Sequence, residues 1–169
     1  MKIIAFLLLL VGLKEAHGQK LSLNISSSDT VEYGEPIRIK VSIRNQSKKP
    51  VLLFKDFTFT SNLYPNPIEM VNQGASLHFI IEPIPDFSAT WVEGQTVITD
   101  NKYKELLPGK HYDTEYNLGK HLNEFISDTD KEKWTDKAYR IKVKYLNSKG
   151  HKSVRGEYDS NEIVVFVKK

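Results

Sequence analysis

The sequence predicts an all-β fold, an antiparallel β-sandwich with Greek-key connections and one short helix. Two segments, Ile37–Ile43 and Tyr139–Tyr145, alternate strictly between apolar and polar residues, which is typical of strands with one buried face. Turn residues separate further short apolar runs along the chain. No series of long helical segments alternates with the strands, so the sequence excludes a βαβ fold.

Residues 1–18 have the pattern of a secretory signal peptide. One lysine provides a positive start, Ile3–Leu13 is an apolar run, and small residues precede a cleavage site between Gly18 and Gln19. The run is too short to span a bilayer, which needs about 20 apolar residues. We therefore expect a secreted or periplasmic protein without a membrane span, in which residues 19–169 form one sandwich domain.

The composition limits the functions of the mature chain. The full chain has 24 Lys and Arg against 21 Asp and Glu, and loss of Lys2, Lys14 and Glu15 with the leader leaves a net charge near +2. This balance gives no electrostatic case for a nucleic-acid partner or an anionic membrane surface. The chain has no cysteine, so its core must be stable without disulfides.

The first third of the chain predicts three strands. Leu21–Ile25 alternates as a strand, and Tyr33–Phe54 is predicted to be a hairpin of two antiparallel strands. In this hairpin the polar turn Asn45–Pro50 joins the alternating strand to the apolar run Val51–Phe54. The hairpin is therefore predicted to be the scaffold around which the sandwich is built.

The remainder of the chain predicts further strands and one helix. The predicted elements are, in order, an edge strand at Phe57–Phe59, strands at Leu77–Ile81 and Trp91–Ile98, a turn at Leu106–Gly109, a strand at His111–Leu118, a helix at Leu118–Ile126, and strands at Ala138–Leu146 and Asn161–Val167. The helix prediction rests on apolar residues three and four positions apart. The segment 55–103 has the weakest periodicity, so we expect its loops to be specific to this protein.

Four motifs make the chain resemble exported bacterial immunoglobulin-like domains. They are the strand start Tyr33–Ile37 with the turn Asn45–Ser47, the turn Leu106–Gly109, the strand Tyr139–Tyr145, and the end Ser160–Val167. The resemblance implies an immunoglobulin-like sandwich and says nothing about activity. Within it, Tyr139 is either a tyrosine corner, whose hydroxyl bonds to the chain upstream, or an ordinary core tyrosine.

The chain also has a weaker resemblance to the small β-sandwich proteinase inhibitors of bacilli. The shared features are the strand start at Tyr33–Ile37 and the Asn-x-Ser turn at Asn45–Ser47. This resemblance implies an inhibitory loop within 61–76 or 83–95. No residue in these two segments identifies a protease-binding sequence.

The sequence predicts no catalytic, cofactor-binding or metal-binding residues. The loop Asp128–Glu132 has alternating carboxylates, but Lys133 and Tyr139 stand where a calcium-binding EF-hand loop needs glycine and glutamate. We therefore favour a solvated loop over a calcium site. His78 is expected to be a solvated surface residue. The histidines of the mature chain lack the spacing of a zinc motif, and they are His78, His111, His121 and His151.

Two basic stripes are predicted on the strands with the strictest alternation. One consists of Arg38, Lys40 and Arg44, and the other of Arg140, Lys142 and Lys144. In the implied topology these strands belong to different sheets, so the stripes are expected on opposite outer faces. We interpret them as solubility and protection against edge pairing, with contact to a polyanion or polysaccharide as the alternative.

The last strand is apolar on both faces. Its odd-numbered residues from Ile163 to Val167 are predicted to face the core, which turns Val164 and Phe166 to the other side. Either a loop from 55–103 covers this pair, which we favour, or the pair forms a partner surface.

Two glycosylation sequons begin at Asn24 and Asn45. In a eukaryotic host the one at Asn45 is expected to be usable, because it lies on a predicted turn.

We therefore expect a secreted, non-catalytic, monomeric domain that binds a protein or glycan through its loops. A secreted protease inhibitor is the first alternative. A hydrolase that uses a pair of carboxylates is the second, although signatures of serine hydrolases are absent from the sequence.

Overall fold

The computed structural model describes residues 20–54, 57–62, 75–83, 103–119, 131–148 and 152–169. Within them lie β1 (Leu21–Ser26), β2 (Thr30–Glu32), β3 (Arg38–Asn45), β4 (Val51–Phe54), β5 (Thr58–Ser61), β6 (Ser76–Glu82), β7 (Tyr103–Leu106), β8 (His111–Asn117), β9 (Lys137–Asn147), β10 (Gly156–Asp159) and β11 (Ile163–Lys168). The predicted all-β fold is confirmed. No helix among the described residues is long and apolar enough to cross a membrane.

Three predicted segments fall partly or wholly outside the described residues. The signal peptide and the strand at Trp91–Ile98 lie outside them completely. The helix predicted from Leu118 has helical backbone at Leu118 and Gly119, and its remainder lies outside. A 3₁₀ turn, Lys131–Trp134, leads into β9.

Two sheets face each other. The smaller sheet has the strand order β1-β3-β8, and the larger has the order β2-β11-β9-β6-β5. Strand β10 pairs with the C-terminal end of β9, whereas β11 pairs with the N-terminal half of that strand. The pairings are antiparallel, as predicted, except that β2/β11 and β5/β6 are parallel.

The core lies between the inner faces of β3 and β9. Ile39, Val41 and Ile43 of β3 are 0% exposed, and the inward residues of β9 from Tyr139 to Tyr145 are buried. Aromatic rings join the two sheets, as Phe79 meets Tyr116 edge-on with 5.4 Å between ring centroids. Because successive side chains of a strand point to opposite faces, the period-two pattern of the sequence becomes this division into dry and wet faces.

The hairpin predicted at Tyr33–Phe54 is wrong. Both strands exist, but β3 pairs with β1 and β8, while β4 pairs with β7. Arg44 lies opposite His111 and Val51 lies opposite Leu106, so the chain from β3 to β4 runs alongside the chain from β7 to β8. The two segments form one long ribbon with an interruption, in place of a turn that folds β4 back on β3.

The side-chain amide of Asn45 holds this interruption together. Its Nδ2 donates to the carbonyl oxygens of Lys49 and Leu106, each at 2.8 Å. Its Oδ1 accepts from the backbone N–H and the hydroxyl of Ser47, at 2.9 and 2.7 Å. The backbone N–H of Gly109, a residue with φ of 73°, donates to the Asn45 carbonyl. Asn45 is fully buried, and every polar group of its side chain is used.

The burial of Asn45 also overturns the expectation for its sequon. In the folded chain the Asn45 amide is enclosed and bonded, so it offers no acceptor for a glycan. Asn24, in contrast, is exposed on the outer face of β1.

Of the two alternatives for Tyr139, the structure shows the tyrosine corner. Its hydroxyl donates to the backbone carbonyl of Trp134 at 3.0 Å, five residues upstream. The two rings pack with centroids 5.5 Å apart. Burial raises the pKa of Tyr139 to about 12.

A second buried hydroxyl, that of Tyr145, anchors the chain before β10. It donates to the Val154 carbonyl at 2.6 Å, and Asn147 Nδ2 lies 2.7 Å from Ser153 Oγ. The Val154 N–H donates to the Leu52 carbonyl of β4, which ties this segment to the ribbon. Burial raises the pKa of Tyr145 to about 12.

We predict that Asn45→Ala lowers the free energy of unfolding by about 1–3 kcal/mol, because it removes the donor to the buried carbonyl of Leu106. Chemical denaturation measures the change. The control is Gln46→Ala, whose exposed side chain bonds Ser22 Oγ and whose loss should cost less than about 0.5 kcal/mol. Equal stability of the two variants would contradict the role of the amide.

We also predict a loss of stability between pH 10 and pH 12. The raised pKa values of Tyr139 and Tyr145 mean that the folded state prefers the neutral phenols, so their stabilisation is complete below pH 10. It disappears as the pH rises through about 12. Denaturation midpoints across this range test the prediction, and a flat profile would refute it. Tyr139→Phe and Tyr145→Phe should each reduce the slope.

Candidate functional site

The described residues contain no assembled metal centre. Among them, no group of three or more histidine, aspartate or glutamate side chains lies close enough together to hold a metal ion. His78 and His111 lie on different sheets, on β6 and β8. His121, His151 and the carboxylates of Asp128–Glu132 lie outside the described side chains.

The two basic stripes lie on opposite outer faces, as predicted. Arg38, Lys40 and Arg44 belong to β3, in the smaller sheet, and the other stripe belongs to β9, in the larger sheet. Their interpretation as protection of sheet edges is wrong, because β3 lies between β1 and β8 and β9 lies between β11 and β6.

On the smaller sheet, the outer face carries a depression of about 500 Å³. Lys40 lies directly opposite Glu115, and Ser42 lies opposite Asp113. Arg38 forms an ion pair with Glu115 at 2.9 Å. Since both partners of this pair are exposed, the pair contributes at most about 1 kcal/mol to stability.

On the larger sheet, a depression of about 350 Å³ lies over β9. Arg140 pairs with Glu82 at 3.0 Å, and Lys144 approaches Asp159 at 3.6 Å. We call this surface the β9 face and define it by Ile80, Glu82, Arg140, Lys142, Lys144, Asp159, Glu162 and Val164. Its three cations are matched by three carboxylates, so the stripe is not a uniform positive track of the kind that a polyanion prefers.

Val164 is the exposed apolar residue of the β9 face, on the β11 side of the depression. It is 51% exposed and lies directly opposite Arg140 in the β9/β11 register. The loops of 55–103 that were expected to cover it lie mostly outside the described residues, so that expectation stays a prediction. Phe166, the next outward residue, is half-buried opposite Ala138. Their outward direction follows from Val165 and Val167, which are buried in the core.

His78 borders the β9 face and is half-buried rather than solvated. Its Nδ1 lies 3.0 Å from the hydroxyl of Thr60. It stands opposite Lys144 in the β6/β9 register. Burial lowers the pKa of His78 from its usual value of 6.5, and the positive charge of Lys144 lowers it further.

The sequence identified only part of this surface. Its basic stripe and Val164 were singled out by alternation along their own strands. The carboxylates of Glu82 and Asp159 were missed. They lie on β6 and β10 and come next to the basic residues of β9 only because these two strands pair with β9. The alternation of His78, Ile80 and Glu82 along β6 was the available signal, and it marks an outer face without naming its neighbours.

Comparisons with known proteins leave the function open. No family model and no curated protein matches the chain. Among solved structures, the chain is similar to the solution NMR structure of a CARDB domain from Pyrococcus furiosus, with 12% identity and a TM-score of 0.39. The match covers 88% of this chain and 94% of that chain. The assignment to the all-β class rests on the strand pairing described above.

We predict that Lys144→Met raises the pKa of His78 but leaves it below 6.5, because burial, the larger cause, remains. NMR titration of the imidazole measures the shift. Lys142→Met is the matched control, since Lys142 stands opposite Ile80 and not His78. An equal shift in the two variants would contradict the assignment to Lys144. Because the folded pKa is lowered, the stabilisation from neutral His78 is lost as the pH falls below 6.5.

Proposed function

We propose that this chain is an exported, non-catalytic β-sandwich domain that binds a partner protein through the β9 face. The main support for this proposal is the exposure of Val164. This residue is a large apolar side chain on the outside of a sheet, next to charged residues. Export is supported by the leader pattern of residues 1–18.

The composition of the β9 face suits a protein partner. Protein interfaces commonly have an apolar centre and a polar rim. Here Val164 and the half-buried Ile80 provide apolar surface, and the ion pair of Arg140 with Glu82 lies beside them. Neighbouring charges of opposite sign favour a partner with a complementary pattern, since charge complementarity contributes more to specificity than to affinity.

The other functions considered lack a supporting observation. The segments 61–76 and 83–95, in which an inhibitory loop was expected, lie mostly outside the described residues. Two acids of the β9 face, Glu82 and Asp159, make exposed ion pairs with Arg140 and Lys144, which suits a contact surface better than a pair of catalytic carboxylates.

The proposal is tested by capture on the immobilised domain 19–169 from the extracellular fraction of cells that make the protein, followed by measurement with the purified partner. Val164→Asp should weaken binding by about tenfold or more, because it places a charge at the centre of the contact. Asn24→Asp, on the outer face of the smaller sheet, is the control and should leave the affinity unchanged.

Two results would overturn the proposal. If the wild type and Val164→Asp bound the purified partner with equal affinity, the β9 face would not be the binding surface. If the domain bound isolated oligosaccharides and no protein partner, the ligand would be a glycan and not a protein.

A further inference from the structure

Strand β8 ends the smaller sheet. The order β1-β3-β8 leaves β8 with a neighbour on one side only, among the described residues. Its pairing with β3 is continuous from His111 to Asn117, without a bulge. Such an edge is a template for a further strand unless a structural device blocks it.

Two hydrogen bonds determine which backbone groups of β8 point away from β3. The Asn45 N–H donates to the Lys110 carbonyl at one end of the β3/β8 ladder, and the Leu118 N–H donates to the Ile37 carbonyl at the other. In an antiparallel ladder alternate residues bond to the neighbour, so even-numbered residues of β8 bond β3. The N–H and C=O groups of His111, Asp113 and Glu115 therefore point away from β3, and all three residues are exposed.

The opposite edge of the same sheet is closed, which makes β8 different. The side chain of Asn161 bonds the outward groups of Ile25 on β1, accepting from its N–H at 2.7 Å and donating to its carbonyl at 3.0 Å. The backbone groups of Leu21 and Leu23 also point away from β3, and both residues are buried. Strand β8 has no equivalent of Asn161 in the part of the chain that the structure describes, and it contains no proline or lysine.

The side chains of β8 select the chemistry of an added strand. Asp113 and Glu115 lie on its outer face, and Arg38 of β3 already pairs with Glu115 from the other side. Asp113 faces Ser42, so no cation stands opposite it in the register. Glu115 also has Lys40 directly opposite it, so a strand with basic residues on this face would chiefly match Asp113, since opposite charges across a pair of strands are stabilising.

A second copy of this chain is a poor occupant of the edge. Symmetric antiparallel pairing of β8 about its central outward residue would place Asp113 opposite Asp113, and like charges directly opposite are destabilising. The inner side of the edge carries Tyr112 and Tyr116, which are half-buried. Apolar residues at alternate positions of an added strand would lie on this inner side of the sheet.

We propose that the free edge of β8 accepts an extended segment of a partner protein by strand addition, and that this segment alternates basic and apolar residues. Backbone hydrogen bonds to His111, Asp113 and Glu115 hold the added strand, and its basic side chains lie beside Asp113 and Glu115. This surface is separate from the β9 face, because it belongs to the other sheet. A failure of strand addition at β8 would therefore leave the proposed function untouched, and the reverse also holds.

The probe is an acetylated peptide of alternating lysine and valine, with fluorescence anisotropy and amide hydrogen exchange of the domain as readouts. At saturation, exchange at the amides of Asp113 and Glu115 should slow by about tenfold or more, because these N–H groups gain acceptors. The amides of Tyr112 and Thr114 should change little, because they already bond β3. Binding should weaken as salt is added.

The variant Asp113→Lys tests the charge selection. It reverses the charge beside the added strand without removing a backbone bond to β3, and it should weaken peptide binding by about tenfold or more. The matched control is Glu157→Lys, the same reversal of charge at an exposed position of β10 in the other sheet and outside the β9 face, which should leave peptide binding unchanged. If the lysine variant is unfolded by circular dichroism, Asp113→Asn serves in its place, with a smaller loss and a weaker salt dependence.

Several results would overturn the proposal. They are equal binding of a glutamate–valine peptide, equal binding to the Asp113 variants, protection of amides outside β8, and no binding at millimolar peptide. If the free domain dimerised and the same amides became protected, the occupant of the edge would be a second copy of this chain and not a basic segment of a partner.

Discussion

The four hydrogen bonds of the Asn45 side chain are the constraint on which the sandwich depends. Two of them donate to the carbonyls of Lys49 and Leu106, and two accept from the N–H and the hydroxyl of Ser47, where the ribbon of β3/β8 passes into β4/β7. Without them, the interruption would leave polar backbone groups buried and unpaired, which costs more than a single hydrogen bond contributes. The hydrogen bond from the Val154 N–H to the Leu52 carbonyl attaches the chain before β10 to the same ribbon. Because β10 pairs with β9, this corner, where β3 passes into β4, also contacts the larger sheet.

Away from this corner, the outer faces are dominated by exposed ion pairs between neighbouring strands. Arg38 with Glu115 and Arg140 with Glu82 contribute little to stability because both pairs are solvated. Their consequence is that the basic stripes are largely compensated. Among the described residues, the exposed Val164 and the edge of β8 that faces away from β3 differ in kind. The first offers apolar contact area, and the second offers backbone hydrogen bonds.

The sequence anticipated the candidate surfaces unevenly. Alternation along β9 and β11 identified the basic stripe and the outward direction of Val164, because side-chain direction is a local property of a strand. It could not show that Glu82 reaches Arg140, since that contact joins residues 58 positions apart through the register of β6 with β9. The burial of Asn45 was missed for a related reason. A polar residue after a strand reads as a turn until the partner carbonyl of Leu106 is in place.

The sequence by itself determined that this chain forms strands, where most of them lie, and which face of each is dry. These properties follow from a period of two and from turn residues, which act within a few positions of the chain. Only the tertiary structure decided the neighbour of each strand, and it separated β3 from β4 although they are consecutive and both suited to a hairpin. Pairing depends on backbone hydrogen bonds and packing between distant segments, so β8 could be recognised as an open edge only after assembly.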